Sequence, residues 1–393
     1  MKFNALFILI TAYSAFFVMT VRGSLAFENT GHGDLKDKYN GSEFKILIVP
    51  GHDNETLGGA RFKNLREADL NLKVAEKLFR FFNANPHFKV FITRDNNGYK
   101  PEFAGYFQNN YSDILSFRDR LKSAFENLLN GGLITKNTTV HHNYATEENS
   151  VKLYGINKWA NENGVDLVLH AHFNDYPERI FNREGKYTGF AVYVPERQLP
   201  NFDDSMEFAQ SVFGQLQRYF AISNHPQENT GVVEDQDLIA VGSNSSRTSA
   251  SLLVEYSYIY EPQVNSPVVR PLVAEELAYQ TYLGVKKYLN PQEITKNMSI
   301  LPYVWKNYLK RGPDKSRDIF ALQAALAEEG LYPPAGFSKN ECGLTGKFGL
   351  CTEKAVIELQ KKYGITTNGF VGPRSIKKLN ELYSHAALKP AKF

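Results

Sequence analysis

The sequence predicts an α/β fold, with a mostly parallel sheet flanked by helices and a small three-helix domain behind it. Three observations carry this. Short apolar runs at 45–49, 89–93, 166–171, 189–194 and 251–255 have strand length and strand-like flanks. Longer segments between them repeat apolar residues at helical spacing, and a strand-helix-strand order implies parallel pairing. Past residue 290 the composition shifts to Pro, Lys, Asn and aromatic residues, and three short helical patterns follow.

The elements can be justified in order. Met1-Lys2, an apolar run over 5–20 and Ser24-Leu25-Ala26 read as an export leader, residues 1–26, with a small-x-small cleavage pattern. Arg22 interrupts the run, which falls short of the about 20 residues of a bilayer span; an uncleaved anchor is the alternative. The polar stretch 27–43 reads as a mobile spacer. The run 45–49 ends at Pro50-Gly51, a buried strand. Over 67–83, Leu70, Val74 and Leu78 share a helix face with Ala75 and Phe79 beside it.

After the strand at 89–93 comes a long excursion, 94–150, read as a lid, a groove wall or a surface insertion. Within it, Ser112 or Asp113 caps a helix with Phe117, Leu121, Phe125 and Leu128 on its face, ended by Gly131-Gly132. His141 and His142 fall in a polar loop and are expected to be exposed. A helix over 150–163 stops at Gly164 before the strand at 166–171. Helices at 206–220 and 268–289 alternate with the remaining strands and complete a domain spanning 44–291.

A linker, 292–315, precedes a helical domain at 316–385 and a tail at 386–393. Ile319, Leu322 and Leu326 line its first helix. Thr352 is expected to cap a second, carrying Ala355, Val356, Leu359 and Tyr363, and Pro373 opens a third. The two cysteines, Cys342 and Cys351, are expected to form one disulfide closing a small loop. A net charge of +3 is too small to imply nucleic acid. No segment after the leader reads as membrane-spanning, and a monomer is expected. The 22 Tyr and 28 Phe suit surfaces that stack on sugars or peptides.

Chemistry concentrates at four places. His52 follows the first strand and its Pro-Gly turn. Glu67 opens the first helix, where the dipole favours an acid in any case; Asp69 and Asn71 behind it are supporting or surface residues. His170 and His172 stand two apart on a strand and therefore face the same way, with Asn174 next in that series. Glu255 ends an apolar strand, where a carboxylate needs a charge partner. Two imidazoles and a carboxylate can hold zinc with its fourth position open, and a second carboxylate can accept a proton from water there.

At these residues the chain resembles the zinc-dependent N-acetylmuramoyl-L-alanine amidases of bacteria. Val49-Pro50-Gly51-His52-Asp53 stands for the opening strand motif, and Glu67 with Asn71-Leu72 for the ligand-bearing helix. The strand starting at Asp166 brings His172 and Asn174 into the places of the motif's His and Asn, with His170 where that family has Ser. Val254-Glu255 matches the catalytic strand end. The resemblance implies Zn2+ held by His52, Glu67 and His172, with Glu255 as catalytic base and peptidoglycan as substrate. It also implies a place outside the cytoplasm, secreted or in the cell envelope.

Residues 316–385 resemble a three-helix peptidoglycan-binding domain through Leu322-Gln323, Gly346-Lys347-Phe348-Gly349, Thr352, Ala355-Val356, Leu359-Gln360 and Asn368-Gly369-Phe370-Val371-Gly372-Pro373. Asp53 for Gly, Val49 for Asp and His170 for Ser depart from the amidase pattern. The rival readings are a zinc peptidase acting on stem peptides and a wall-binding protein with an inactive or gated hydrolase domain.

Overall fold

The computed structural model describes residues 34–53, 59–137, 145–176, 178–242, 249–294 and 299–384. The expected leader at 1–26, His141, His142 and the tail at 386–393 lie outside the described residues. The chain runs α1 (Asp34–Gly41), β1 (Phe44–Pro50), β2 (Arg61–Phe62), β3 (Leu65–Arg66), α2 (Glu67–Asn83), β4 (Phe88–Ile92), β5 (Arg94–Asp95) and β6 (Gly98–Tyr99). Then come α3 (Pro101–Asn109), α4 (Tyr111–Asn130), α5 (Glu147–Glu162), β7 (Leu167–Asn174), β8 (Ala191–Pro195), α6 (Phe202–Tyr219), β9 (Val232–Asp235), β10 (Ala250–Tyr258) and α7 (Arg270–Leu289). The C-terminal part carries α8 (Arg317–Glu328), α9 (Leu350–Lys362) and α10 (Pro373–Tyr383).

Six strands form one sheet in the order β4-β1-β7-β10-β8-β9. The first four run parallel; β8 is antiparallel to β10, and β9 is parallel to β8. Alternation along β1 explains the two layers. Ile46 and Ile48 point to a core shared with α2, α6 and α7, whereas Leu47 and Val49 point to Phe103, Ile114, Tyr154 and Trp159 of α3, α4 and α5. Helices on both faces bury the strands twice over, which is why they read as near-continuous apolar runs.

Several expectations are corrected. Residues 34–41 are a helix rather than mobile spacer: Leu35 and Tyr39 are buried, and Lys38 pairs with Asp166 at 2.5 Å. The α4 helix starts at Tyr111 behind Asn110 with no side-chain cap, so neither Ser112 nor Asp113 caps it; α5 starts at Glu147, capped by Thr146. Thr352 does not cap α9, which starts at Leu350 behind Gly349. It lies buried in the first turn, where its Oγ1 accepts from Gln323 Nε2 at 2.9 Å. Pro373 does open α10 as expected, and Cys342 and Cys351 are disulfide-bonded.

The excursion is a packed layer. Its end is pinned where Asn137 Nδ2 donates to Glu196 at 2.9 Å and Gln236 Nε2 donates to Thr135 O at 2.9 Å. Glu196 and Gln236 follow β8 and β9, which run antiparallel to β10 and so exit at the opposite end of the strands from β1 and β7. The pinned stretch therefore stands away from His52 and His172.

The segment after α7 packs against the helical domain. Trp305 is buried and its indole N–H donates to Asp318 O at 2.9 Å. Arg218 of α6 pairs with Glu328 of α8 at 2.5 Å, and Arg317 Nε donates to Val268 O at 3.2 Å.

One buried acid lies beneath this junction. Glu276 on α7 is pushed up to about 7 by burial, against hydrogen bonds from Gln280 and the Leu301 backbone. A carboxyl held higher in the folded chain than its ordinary 4.5 makes stability fall as pH rises between those values, by about 3 kcal/mol in full. We expect Glu276→Gln to match the parent in Tm near pH 4.5 and to exceed it by about 5 °C at pH 8. Equal melting of the two proteins across that range by differential scanning calorimetry would refute this.

Candidate metal centre

The site forms where β1 and β7 end side by side, with Val49 opposite His170 and Pro50 opposite Ala171. Ligand sites of parallel sheets sit in such places, outside the carboxyl ends of the strands. The Gly51 N–H donates to Ala171 O at 3.0 Å and holds the turn against β7. A Cβ on Gly51 would stand 2.1 Å from His172 Nε2, so the turn tolerates no side chain there. His52 follows with φ 55, a left-handed backbone costly for histidine and typical of functional sites.

Glu67 opens α2. Its backbone N–H donates to Ala60 O at 2.9 Å, and its Oε2 accepts the Ala60 N–H at 2.7 Å. His52 Nε2 lies 3.2 Å from Oε2, and His172 Nδ1 lies 3.0 Å from Oε1. One ligand atom from each of His52, Glu67 and His172 falls within 4.8 Å of the others. The three come from the exit of β1, the start of α2 and the end of β7.

The electrostatics follow from this contact. Burial pushes Glu67 up, but the charges and hydrogen bonds of the two imidazoles overcome it and hold the carboxyl well below its usual range. Burial also pushes His52 down, yet Glu67 raises it on balance; His172 stays lowered, chiefly by burial. Glu255 stands opposite His172 on β10. Burial, then the charges of Glu67 and Glu228, push it well above the carboxylate range, and its Oε2 is buried with no hydrogen-bond partner.

All four residues singled out from sequence thus meet at one end of the sheet. His170 does not join the triad. It is buried on the same face, its Nε2 has no partner, and burial followed by His172 pushes it down to about 3. Asn71 is a supporting residue, donating to Gly51 O at 2.9 Å and Glu67 Oε1 at 3.2 Å, whereas Asp69 pairs outward with Arg66. Asp53 is buried 3.0 Å from Lys152 Nζ of α5.

Sequence reasoning missed two residues. Arg94 is fully buried and donates to Pro50 O at 3.2 Å and to Gly51 O and Ala68 O at 2.9 Å each. It locks the turn carrying His52 to the helix start carrying Glu67, and its place at a buried strand's exit was the available signal. Glu228 is buried and accepts from Asn174 at 2.7 Å, Tyr193 at 2.7 Å, Ser223 at 2.5 Å and Tyr258 at 3.0 Å. It lies in a stretch without periodicity, and nothing in the sequence marks it.

Comparison with known proteins identifies the family. The family described as N-acetylmuramoyl-L-alanine amidase matches residues 46–287, more than half of the chain. The chain belongs to that family. A second match, described as a putative peptidoglycan binding domain, covers residues 315–379 of the amidase. No curated protein sequence matches it.

Among solved structures, an N-acetylmuramoyl-L-alanine amidase from Clostridium difficile 630 shares 18% identity at a TM-score of 0.41, over 64% of this chain and 98% of that one. The CwlD amidase from Clostridioides difficile, solved with the GerS lipoprotein, shares 16% at 0.41, over 64% and 100%. The amidase Ami1 from Mycobacterium smegmatis shares 13% at 0.41, over 63% and 98%. The assignment rests on the domain match; with it the chain is a peptidoglycan amidase carrying a peptidoglycan-binding domain.

The contact at Gly51 generates a test. In Gly51→Ala the methyl must displace the His172 ring, so metal affinity should fall about 10–100-fold while the far-UV circular dichroism is kept. Gly105→Ala, with nothing within 4 Å of the added Cβ, should leave affinity unchanged. Unaltered metal retention by Gly51→Ala against a graded chelator would show that His172 is not held through this contact.

Proposed function

We propose that the amidase works as an exported zinc hydrolase, with zinc held by His52, Glu67 and His172 and with Glu255 as the catalytic base. The observation that carries this is the convergence of two imidazole nitrogens and a carboxylate oxygen within 4.8 Å, beside a carboxylate oxygen that is buried and unpartnered. That donor set fits zinc, which favours nitrogen and carboxylate ligands and leaves a fourth position open in catalytic sites. When bound, zinc supplies Lewis acidity toward water and the scissile carbonyl.

The chain's own residues supply the rest. Glu67 brings its two oxygens to one nitrogen of each ring, which gathers the three ligand groups at one point. Glu255 accepts a proton from the attacking water at Oε2 and passes it to the leaving amine, the nitrogen of L-alanine. Burial and the charges of Glu67 and Glu228 raise its proton affinity, which favours taking the proton from water. Arg94 and Asn71 act earlier, holding the Gly51 carbonyl and with it the turn that carries His52.

Among the described residues no helix is long and apolar enough to cross a membrane, and a cell-wall substrate supports export through the apolar leader. We take the working enzyme to be a monomer. The C-terminal domain supports retention on the wall.

Glu255→Gln should keep its metal and lose about 10²–10⁴-fold in turnover, the range of a general acid–base residue. His52→Ala should lose the metal itself. Release of peptides with a free N-terminal alanine from purified peptidoglycan, identified by mass, should stop on chelation and return with zinc. Full turnover by Glu255→Gln would move the base elsewhere. Release of peptides cut within the stem would favour a peptidase.

A further inference from the structure

Beyond the metal triad, two loops at the same end of the sheet are built in an unusual way. The β2–β3 hairpin leads directly into Glu67, and residues 175–187 follow β7 and His172. Among the described residues only His52, Lys63 and Asn182 combine a side chain with a left-handed backbone, at φ 55, 52 and 60. Lys63 and Asn182 are bonded to each other, the Lys63 N–H donating to Asn182 Oδ1 at 2.7 Å.

Arg179 fixes the same pair of loops from below. It donates to Arg61 O at 2.6 Å, pairs with Asp175 at 2.6 Å and lies over the rings of Phe62 and Tyr260. Strain of this kind persists only where the surroundings enforce it, and it gathers at functional sites.

The joined tips present an outer surface, on which Lys63 Nζ lies 4.9 Å over the Phe62 ring. Ile180 and Phe181 are 63% and 66% exposed, side by side. Lys63 and Arg183 flank them, both exposed, and neither has a carboxylate partner among the described residues. The loop's own acids are engaged elsewhere: Glu178 is 3.9 Å from Lys186, and the charge of Glu184 acts on Lys315.

We propose that these tips form a substrate subsite that binds the peptide of the wall polymer, Lys63 and Arg183 taking its free carboxylates and Ile180-Phe181 its apolar side chains. The inference rests on the reading of the neighbouring triad as the place of cleavage. Charge complementarity carries the choice of occupant, since a peptide held through its amino end has no free α-ammonium and presents its terminal carboxylate at the far end. Two cations without carboxylate partners among the described residues, on tips joined by the Lys63–Asn182 hydrogen bond and continuing from Glu67 and from His172 along the chain, match such a ligand in sign.

The test uses full-length, zinc-loaded enzyme and a soluble muramoyl peptide in two forms, with free carboxylates and with those carboxylates amidated. Lys63→Asn with Arg183→Gln removes both charges, and Asn accepts the left-handed backbone. The double variant should raise KM for the free acid about tenfold, leave kcat and zinc content as in the parent, and leave KM for the amidated peptide unchanged. Arg183→Lys in the same assay should restore part of the loss.

Unchanged KM for the free acid, or an equal rise for both peptides, would overturn the subsite. A failure of the zinc and Glu255 reading would show instead in the parent's metal content or in the turnover of Glu255→Gln, and leaves the ratio of the two KM values untouched.

Discussion

Most of the chemistry here depends on one buried carboxylate. Taking Glu67 out of water is costly unless its oxygens are satisfied, and each of its two oxygens is matched to an imidazole from a different element. Meeting that requirement fixes the surroundings. The helix must begin at Glu67, so that a backbone N–H from residue 60 can reach Oε2. The turn after β1 must be glycine, because the His172 ring fills the space of a side chain. The carbonyls of that turn must then be held, and Arg94 and Asn71 donate to them. The cation of Arg94 faces only carbonyl oxygens among its hydrogen-bond partners, and its charge lowers the proton affinity of His52 and His172.

The candidate ligand residues were legible in the sequence because each sits where an element begins or ends. An acid opening a helix, a histidine after a strand and two histidines at spacing two are positions that periodicity marks by itself. Regular strands and the long helices were legible for the same reason. The supports were not. Arg94 touches carbonyls from residues 50, 51 and 68, and only the folded turn brings these together. Glu228 collects donors from residues 174, 193, 223 and 258, with no sequence spacing to betray them. The hairpins escaped notice because two-residue strands show no alternation. Thr352 misled because a threonine near a helix start resembles a cap, whereas burial against Gln323 is what engages it. The spacer misled in the other direction, since a polar helix needs only Leu35 and Tyr39 to dock.

Cleavage and wall attachment are also joined more firmly than a linker reading suggests. The buried residues of α8 and α9 belong to the same continuous core as β1, α2 and α7. Val269 packs where a Cβ on Gly346 would stand, at 2.7 Å, so the glycine turn of the helical domain is fitted to the start of α7. Arg218 and Tyr219 both reach Glu328, and Lys315 Nζ donates to Pro262 O at 2.7 Å. Trp305, in the middle of the connecting segment, is tied through Asn380 to the last helix in both directions, at 2.8 and 2.9 Å.

A flexible tether lets a binding domain search a volume and leaves the cut site undefined. A shared core gives up that reach. With the wall polymer gripped by the helical domain, the amidase domain meets bonds at a set distance and orientation from the grip, because the orienting entropy is lost on folding rather than on each encounter. The cost of such a junction is its buried polar groups. Glu276 and Gln280 show how it is met: Gln280 Nε2 bonds both Glu276 and the carbonyl of Ser299, so the acid beneath the seam satisfies the segment that crosses it.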